Sequence, residues 1–226
     1  MYEELAPAPS LVWDQTLLAP IIETNERLLQ WLHVTACAGL AAPPRAGAPT
    51  GARELVHVLL HEWRALDAAA QRRLARCPYL LLDAGFAEPA RWQAPVGLAV
   101  HEVAPPARAP ERVSPDADWV ALARRTLLLG WHLARAQPLA ARVLLGMSPA
   151  SAECIAACGL SELEALAEAV APVAPRWERQ PQIWRQLLQA SHAAGEALRR
   201  AQLRGLQLLA VVAAAPGSRA SAAAGA

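Results

Sequence analysis

Residues 127–168, LLLGWHLARAQPLAARVLLGMSPASAECIAACGLSELEALAE, alternate short apolar runs at helical spacing with Leu-Gly and Cys-Gly steps and a restart at Pro138. The apolar positions do not alternate as a half-buried strand requires, and each glycine or proline stops a helix soon after it starts. Such a stretch folds as short helices meeting at angles, the outline of a helix-turn-helix. Its would-be recognition helix carries Glu162, Glu164 and Glu168 and no basic residue.

The rest of the chain supports helix. Alanine and leucine dominate, 54% of the 226 residues are hydrophobic, and β-branched and aromatic residues other than tryptophan are sparse, which favours helix over sheet. We expect an all-α helical bundle with a helix-turn-helix-like C-terminal part. No lysine occurs, so all 21 basic residues are arginine, and 20 acids leave a net charge of +1. That balance provides no global attraction to nucleic acid or to an anionic membrane. The start, MYEELAPAPSLVWDQ, is acidic and lacks the apolar core of a secretory signal. The longest apolar run, Leu206–Pro216, falls short of the roughly 18 residues a membrane span needs. A cytoplasmic protein without membrane insertion is expected. Cys37, Cys77, Cys154 and Cys158 are too few and too unevenly placed for a disulfide framework and are read as reduced thiols.

Periodicity and breakers divide the chain into an N-terminal helical region (1–93), a Pro-rich linker (94–115), a C-terminal helical domain (116–214) and a low-complexity, disordered tail (215–226). The first region should hold a helix over Leu17–Leu40 and a second over Ala52–Arg76, with Thr50 as a possible N-cap. Tyr79–Leu82 could be a buried strand or a helical turn, closed by Asp83-Ala84-Gly85. In the second region, Ser114 or Asp116 can cap a helix over Ala117–Ala136, and Pro138 begins another ending at Leu145. Gly146 then turns the chain into a helix with Ser148 as N-cap and Pro149 at N1. Gly159 is expected at C′ of that helix. Ser161 and Glu164 form a capping-box pattern for Glu162–Val170, and one long helix should run over Pro181–Ala214.

Chemical motifs are few. His57-x-x-x-His61-Glu62 sets two imidazoles one turn apart, but the glutamate does not lie between them as a zinc-protease motif requires. Cys154-x-x-x-Cys158 lacks a second ligand pair and reads as small buried residues. Asp116 and Asp118 sit at a helix start, where negative charge is favourable anyway. No phosphate loop, nucleotide fingerprint or nucleophile elbow occurs, so no catalytic residue, cofactor or metal is assigned and the chain is read as non-enzymatic. Of the eight tryptophans most fall on apolar helix faces and read as core. Trp177 and Trp184, flanked by Arg176, Arg179, Gln180, Gln182 and Arg185, are expected instead to form a protein interface, centred on Arg176, Trp177, Trp184 and Arg185. Arg199, Arg200 and Arg204 read as a solvated face.

Leu127-Leu128-Leu129, Ala140-Ala141, Leu145-Gly146-Met147, Ala152, Ile155-Ala156-Ala157, Leu160, Leu166-Ala167-Glu168 and Arg176-Trp177 together form a pattern over residues 127–188. It resembles the FlhD subunit of the bacterial flagellar transcriptional activator. The resemblance implies a helical subunit working in a hetero-oligomer with a zinc-containing FlhC-like partner, with DNA bound only as part of that complex. Where the family commonly carries a cysteine this chain has Ala174, so no inter-subunit disulfide is implied. A second pattern spans more of the chain: Cys77-Pro78-Tyr79-Leu80, Pro89, Trp92, and the LLLG helix leading into an Arg-bearing helix. It is similar to the SctK-type accessory proteins of type III secretion, which implies a cytosolic sorting-platform adaptor. The expected function is a regulatory subunit acting through oligomeric assembly, with the secretion adaptor as the alternative.

Overall fold

The computed structural model describes residues 15–38, 50–93, 116–168, 173–193 and 195–214. The linker at 94–115 and the tail at 215–226 lie outside them. Among the described residues eleven helices and one two-stranded ribbon occur in the order α1 (Gln15–Ala38), α2 (Thr50–Val58), α3 (Leu60–Ala65), α4 (Ala68–Ala75), β1 (Leu82–Asp83), α5 (Pro89–Gln93), α6 (Ala117–Ala136), α7 (Pro138–Leu145), α8 (Pro149–Ala157), α9 (Leu160–Glu168), β2 (Ala174–Pro175), α10 (Pro181–Ala193) and α11 (Glu196–Ala214). The fold is all-α, as the composition implies. No single helix among the described residues is long and apolar enough to cross a membrane.

Leu17, Ile21, Leu28, Leu29 and Leu32 line one side of α1, and that side packs on α3, α4 and α6. Leu122, Leu129 and Leu133 do the same for α6, which carries α7, α8 and α9 against it. Residues from both sides of 94–115 belong to one continuous core running from Leu17 to Leu209. The stretch that divides the sequence does not divide the packing. Polar contacts cross the same divide: Trp31 Nε1 donates to Asp116 Oδ2 at 3.1 Å, and Arg73 Nε donates to the Ser191 carbonyl at 2.7 Å.

Several helix ends fall where local chemistry places them. Asp116 caps α6 through a 3.0 Å bond from the Asp118 amide, and Ser148 Oγ caps α8 by accepting from Ser151 N at 3.1 Å. Gly146 ends α7 in the left-handed region, φ +65° and ψ +31°. A side chain there would meet Leu209 Cδ2 at 2.9 Å, so both backbone and space demand glycine. The axes of α7 and α8 meet at 119° across this turn.

Five expectations need correction. The Ala52–Arg76 helix is three helices: the chain turns at Leu59, and Asp67, extended at φ −75° and ψ 164°, caps α4 by accepting from Ala70 N at 2.7 Å. Apolar periodicity continued across that cap and concealed it. Thr50 is the first helical residue of α2 rather than its cap. Gly159 is not a left-handed C′ residue, because α8 already ends at Ala157 with Cys158 extended. Gly159 N donates instead to Glu162 Oε2 at 2.7 Å, and Leu163 N bonds the Gly159 carbonyl. Glu162 thus supplies the glutamate half of a capping box to Gly159, which has no side chain to return the bond, two residues before the pair expected from Ser161 and Glu164. Finally, the Pro181–Ala214 helix breaks into α10 and α11 around Gly195, which has φ +80°.

These two glycines separate strain from crowding. Gly195→Ala meets no atom within 4 Å and should cost about 1 kcal/mol for the left-handed backbone alone. Gly146→Ala adds the collision with Leu209 and should lower the thermal midpoint clearly further. Circular-dichroism melts of the two variants check this; equal shifts would count against the tight α7–α11 packing.

Candidate functional site

The stretch Tyr79–Asp83 is non-helical within this helical protein, bending at Tyr79 and Leu81, with Tyr79, Leu80, Leu81 and Leu82 all buried. Of Tyr79–Leu82 only Leu82 lies in a strand and none is helical: β1 pairs antiparallel with β2, Leu82 opposite Pro175 and Asp83 opposite Ala174. Only two residues pair, so most backbone groups of the stretch need partners elsewhere. Asn25, fully buried on α1, supplies three bonds. Its Nδ2 donates to the carbonyls of Ala75 (3.2 Å) and Tyr79 (2.9 Å), and its Oδ1 accepts from Leu81 N (2.8 Å). Leu80 N donates to the Leu144 carbonyl at 3.0 Å, and Arg176 N donates to the Leu81 carbonyl at 2.7 Å.

Arg176 completes the set. Its Nε donates to the Leu80 carbonyl at 2.8 Å, and its Nη2 donates to the carbonyls of Leu82 and Leu145, each at 2.9 Å. The guanidinium stands 4.0 Å from Asp83 Oδ1. Burial pulls its pKa down, and the Asp83 charge opposes that shift. A planar, fixed fork suits three converging carbonyls, one of them at the negative end of α7. The Arg176 carbonyl accepts from Trp184 Nε1, and Trp177 is the one non-glycine residue with positive φ (+56°) among the described residues.

These contacts correct the expected interface. Trp184 is fully buried, its ring 5.5 Å from that of Trp63, and Arg176 is 5% exposed. Trp177 is half-buried, its ring edge-on to Tyr79 at 5.7 Å. Arg185 is half-buried and bonds Glu62 Oε1 at 2.8 Å, tying α10 to α3. Arginines and glutamines on both sides of the tryptophans suggested a wet surface, whereas the buried Arg176 bonds main-chain carbonyls. The one available signal was Trp184, Leu187, Leu188 and Ser191 at helical spacing, the buried side of α10.

The remaining candidates separate in space. His57 and His61 are both exposed, but they sit on either side of the break between α2 and α3 rather than on one continuous helix. Cys158 Sγ donates to the Cys154 carbonyl at 3.3 Å, and burial raises its pKa. All four cysteines are free thiols, and burial pushes Cys77 up to about 12. Among the described residues no three His, Cys, Asp or Glu side chains converge as a metal site. A cleft between α1 and α6 has Leu128 and Leu129 on its floor and Arg27, Arg124, Arg125 and His132 along it. Glu23 pairs with both Arg27 and Arg125, so part of this charge is already answered. Sequence reading passed over Asn25, a lone amide within the apolar side of α1, and over His33 and Cys37, one turn apart on the same helix.

The fold and its interior define an all-α protein organised around a buried non-helical segment. No family model, curated protein or solved structure matches the chain.

Two tests follow. Arg176→Met strands three buried carbonyls and should cost about 3–5 kcal/mol, comparable to breaking a buried ion pair. Arg176→Lys should lose nearly as much, because a point charge cannot span three carbonyls; urea unfolding with wild-type stability in the lysine variant would refute the fork's role. The Arg185 hydrogen bond holds the Glu62 carboxyl below its usual 4.5. A depressed acid contributes stability that is complete above the unfolded pKa and is lost as pH falls through the folded one. Arg185→Gln should therefore cost less than about 1 kcal/mol at pH 7, and the difference should vanish below the folded pKa, measured by urea melts at both pH values.

Proposed function

We propose that the chain is a non-catalytic helical adaptor of the kind found among type III secretion sorting-platform accessory proteins. The observation that carries this reading is where the residues of that resemblance come together. Cys77–Leu80 run into and begin the buried non-helical segment. Trp92 bonds the Gly85 carbonyl at 3.0 Å and stacks on Phe86. Phe86 in turn lies against Gly130 of the LLLG helix, close enough that a side chain at Gly130 would strike it at 2.8 Å. Residues more than forty positions apart thus serve one packing arrangement, which supports treating the full length as a unit rather than as a regulator with an appended N-terminal region. Partner contact then falls to exposed apolar side chains: Leu139 and Val143 share one side of α7, and Leu203 is exposed on α11.

One observation favours the second reading, a flagellar-type activator subunit: the 119° bend at Gly146 between α7 and α8, within the range of helix-turn-helix units. Against direct DNA reading, Glu162 and Glu164 are exposed on α9 and would face phosphate.

The readings separate on duplex DNA binding followed by fluorescence anisotropy, with and without an FlhC-like subunit, at low and high salt. An adaptor shows no salt-steep affinity and co-purifies with sorting-platform proteins when co-expressed with them. Affinity that falls steeply with salt would displace the adaptor in favour of the regulator. Leu139→Asp combined with Val143→Asp should abolish the co-purification while leaving helicity unchanged.

A further inference from the structure

His33 and Cys37 lie one turn apart near the C-terminal end of α1. Cys37 is exposed and His33 half-buried. Their donor atoms face each other, with Cys37 Sγ 3.6 Å from His33 Nε2. The other ring nitrogen, Nδ1, is 2.9 Å from the Trp63 carbonyl. A carbonyl only accepts, so Nδ1 carries the proton and Nε2 presents its lone pair toward the sulfur.

The pair is a thiol–imidazole hydrogen bond, and its separation also suits two ligands of one zinc ion. A zinc ion about 2.3 Å from sulfur and about 2.0–2.1 Å from nitrogen, at a tetrahedral angle, holds the two donors about 3.5 Å apart. Metal-bound histidines typically donate their second N–H to a carbonyl or carboxylate, which fixes tautomer and ring orientation. The carbonyl end of a helix also favours a cation. The chain's other pairs at this spacing lack the geometry: His57 and His61 straddle a helix break, and Cys158 turns its thiol to the Cys154 carbonyl.

Two ligands do not close a tetrahedron. Among the described residues no third His, Cys, Asp or Glu joins the pair, and residues 38–53, which follow it directly, contain none of these types. We propose that His33 and Cys37 form half of a zinc site that a second copy of the chain completes, giving a Cys2His2 centre on a two-fold axis. Isologous pairing of this kind requires only that the same exposed patch meet itself. On binding, the Cys37 Sγ–H proton leaves to solvent and the thiolate takes the metal, so affinity falls as pH drops.

The test is zinc titration of tag-free, reduced protein, followed by calorimetry and by mass from light scattering. The expected result is one zinc per two chains with a doubling of mass. Cobalt in place of zinc should show sulfur-to-metal charge transfer and the intense visible bands of a tetrahedral site. Cys37→Ser replaces an exposed side chain and should keep wild-type helicity while losing binding at least tenfold. His33→Gln should do the same. His57→Ala/His61→Ala and Cys154→Ser/Cys158→Ser should bind as wild type. Binding undiminished in Cys37→Ser would overturn the site, and one zinc per chain with unchanged mass would overturn its sharing between copies.

Discussion

The non-helical segment Tyr79–Asp83, buried through Leu82, and the two side chains that satisfy it hold the rest of the structure in place. A helix meets its own backbone requirements, but a non-helical stretch inside a helical protein does not, and each unpaired buried amide or carbonyl costs roughly 1–3 kcal/mol. Asn25 answers from α1 and Arg176 from the residue after β2, so elements far apart in sequence meet at one strip of main chain. Because Arg176 also bonds the last carbonyl of α7, the packing of α7 against the first half depends on the same guanidinium. A fixed fork of donors explains why arginine occupies the position.

Tryptophans fill the space around this strip. Trp31 meets Trp119 at 4.7 Å where α1 and α6 cross, and Trp63 meets Trp184 where α3 and α10 approach. These ring pairs join the first and second halves at two helix crossings. Among the described residues the tryptophans are buried or half-buried, and the large apolar side chains left exposed are aliphatic. The net charge of +1 provides no long-range attraction.

The proposed adaptor reading and the proposed metal pair rest on different parts of the molecule. One concerns the interior assembled around Phe86, Trp92 and Gly130; the other concerns the end of α1, held to Trp63 through His33 and to Arg64, whose Nε donates to the Ala36 carbonyl at 3.0 Å. Loss of either leaves the other standing.

Helical class, the stops at Pro138 and Gly146, and the Ser148 and Asp116 caps were legible in the sequence, because each depends on a residue's own conformational limits or on a partner within one turn. The breaks at Asp67 and Gly195 were hidden for the opposite reason: apolar periodicity ran through them, and periodicity reports which side is buried, not whether the axis bends. The capping box of α9 was displaced because Gly159 and Ser161 both satisfy the local rule. The roles of Asn25, Arg176 and Trp184 were decided only by the tertiary structure. A polar side chain is read as surface until the backbone groups it serves are known, and those served by Asn25 and Arg176 lie from 31 to 96 residues away.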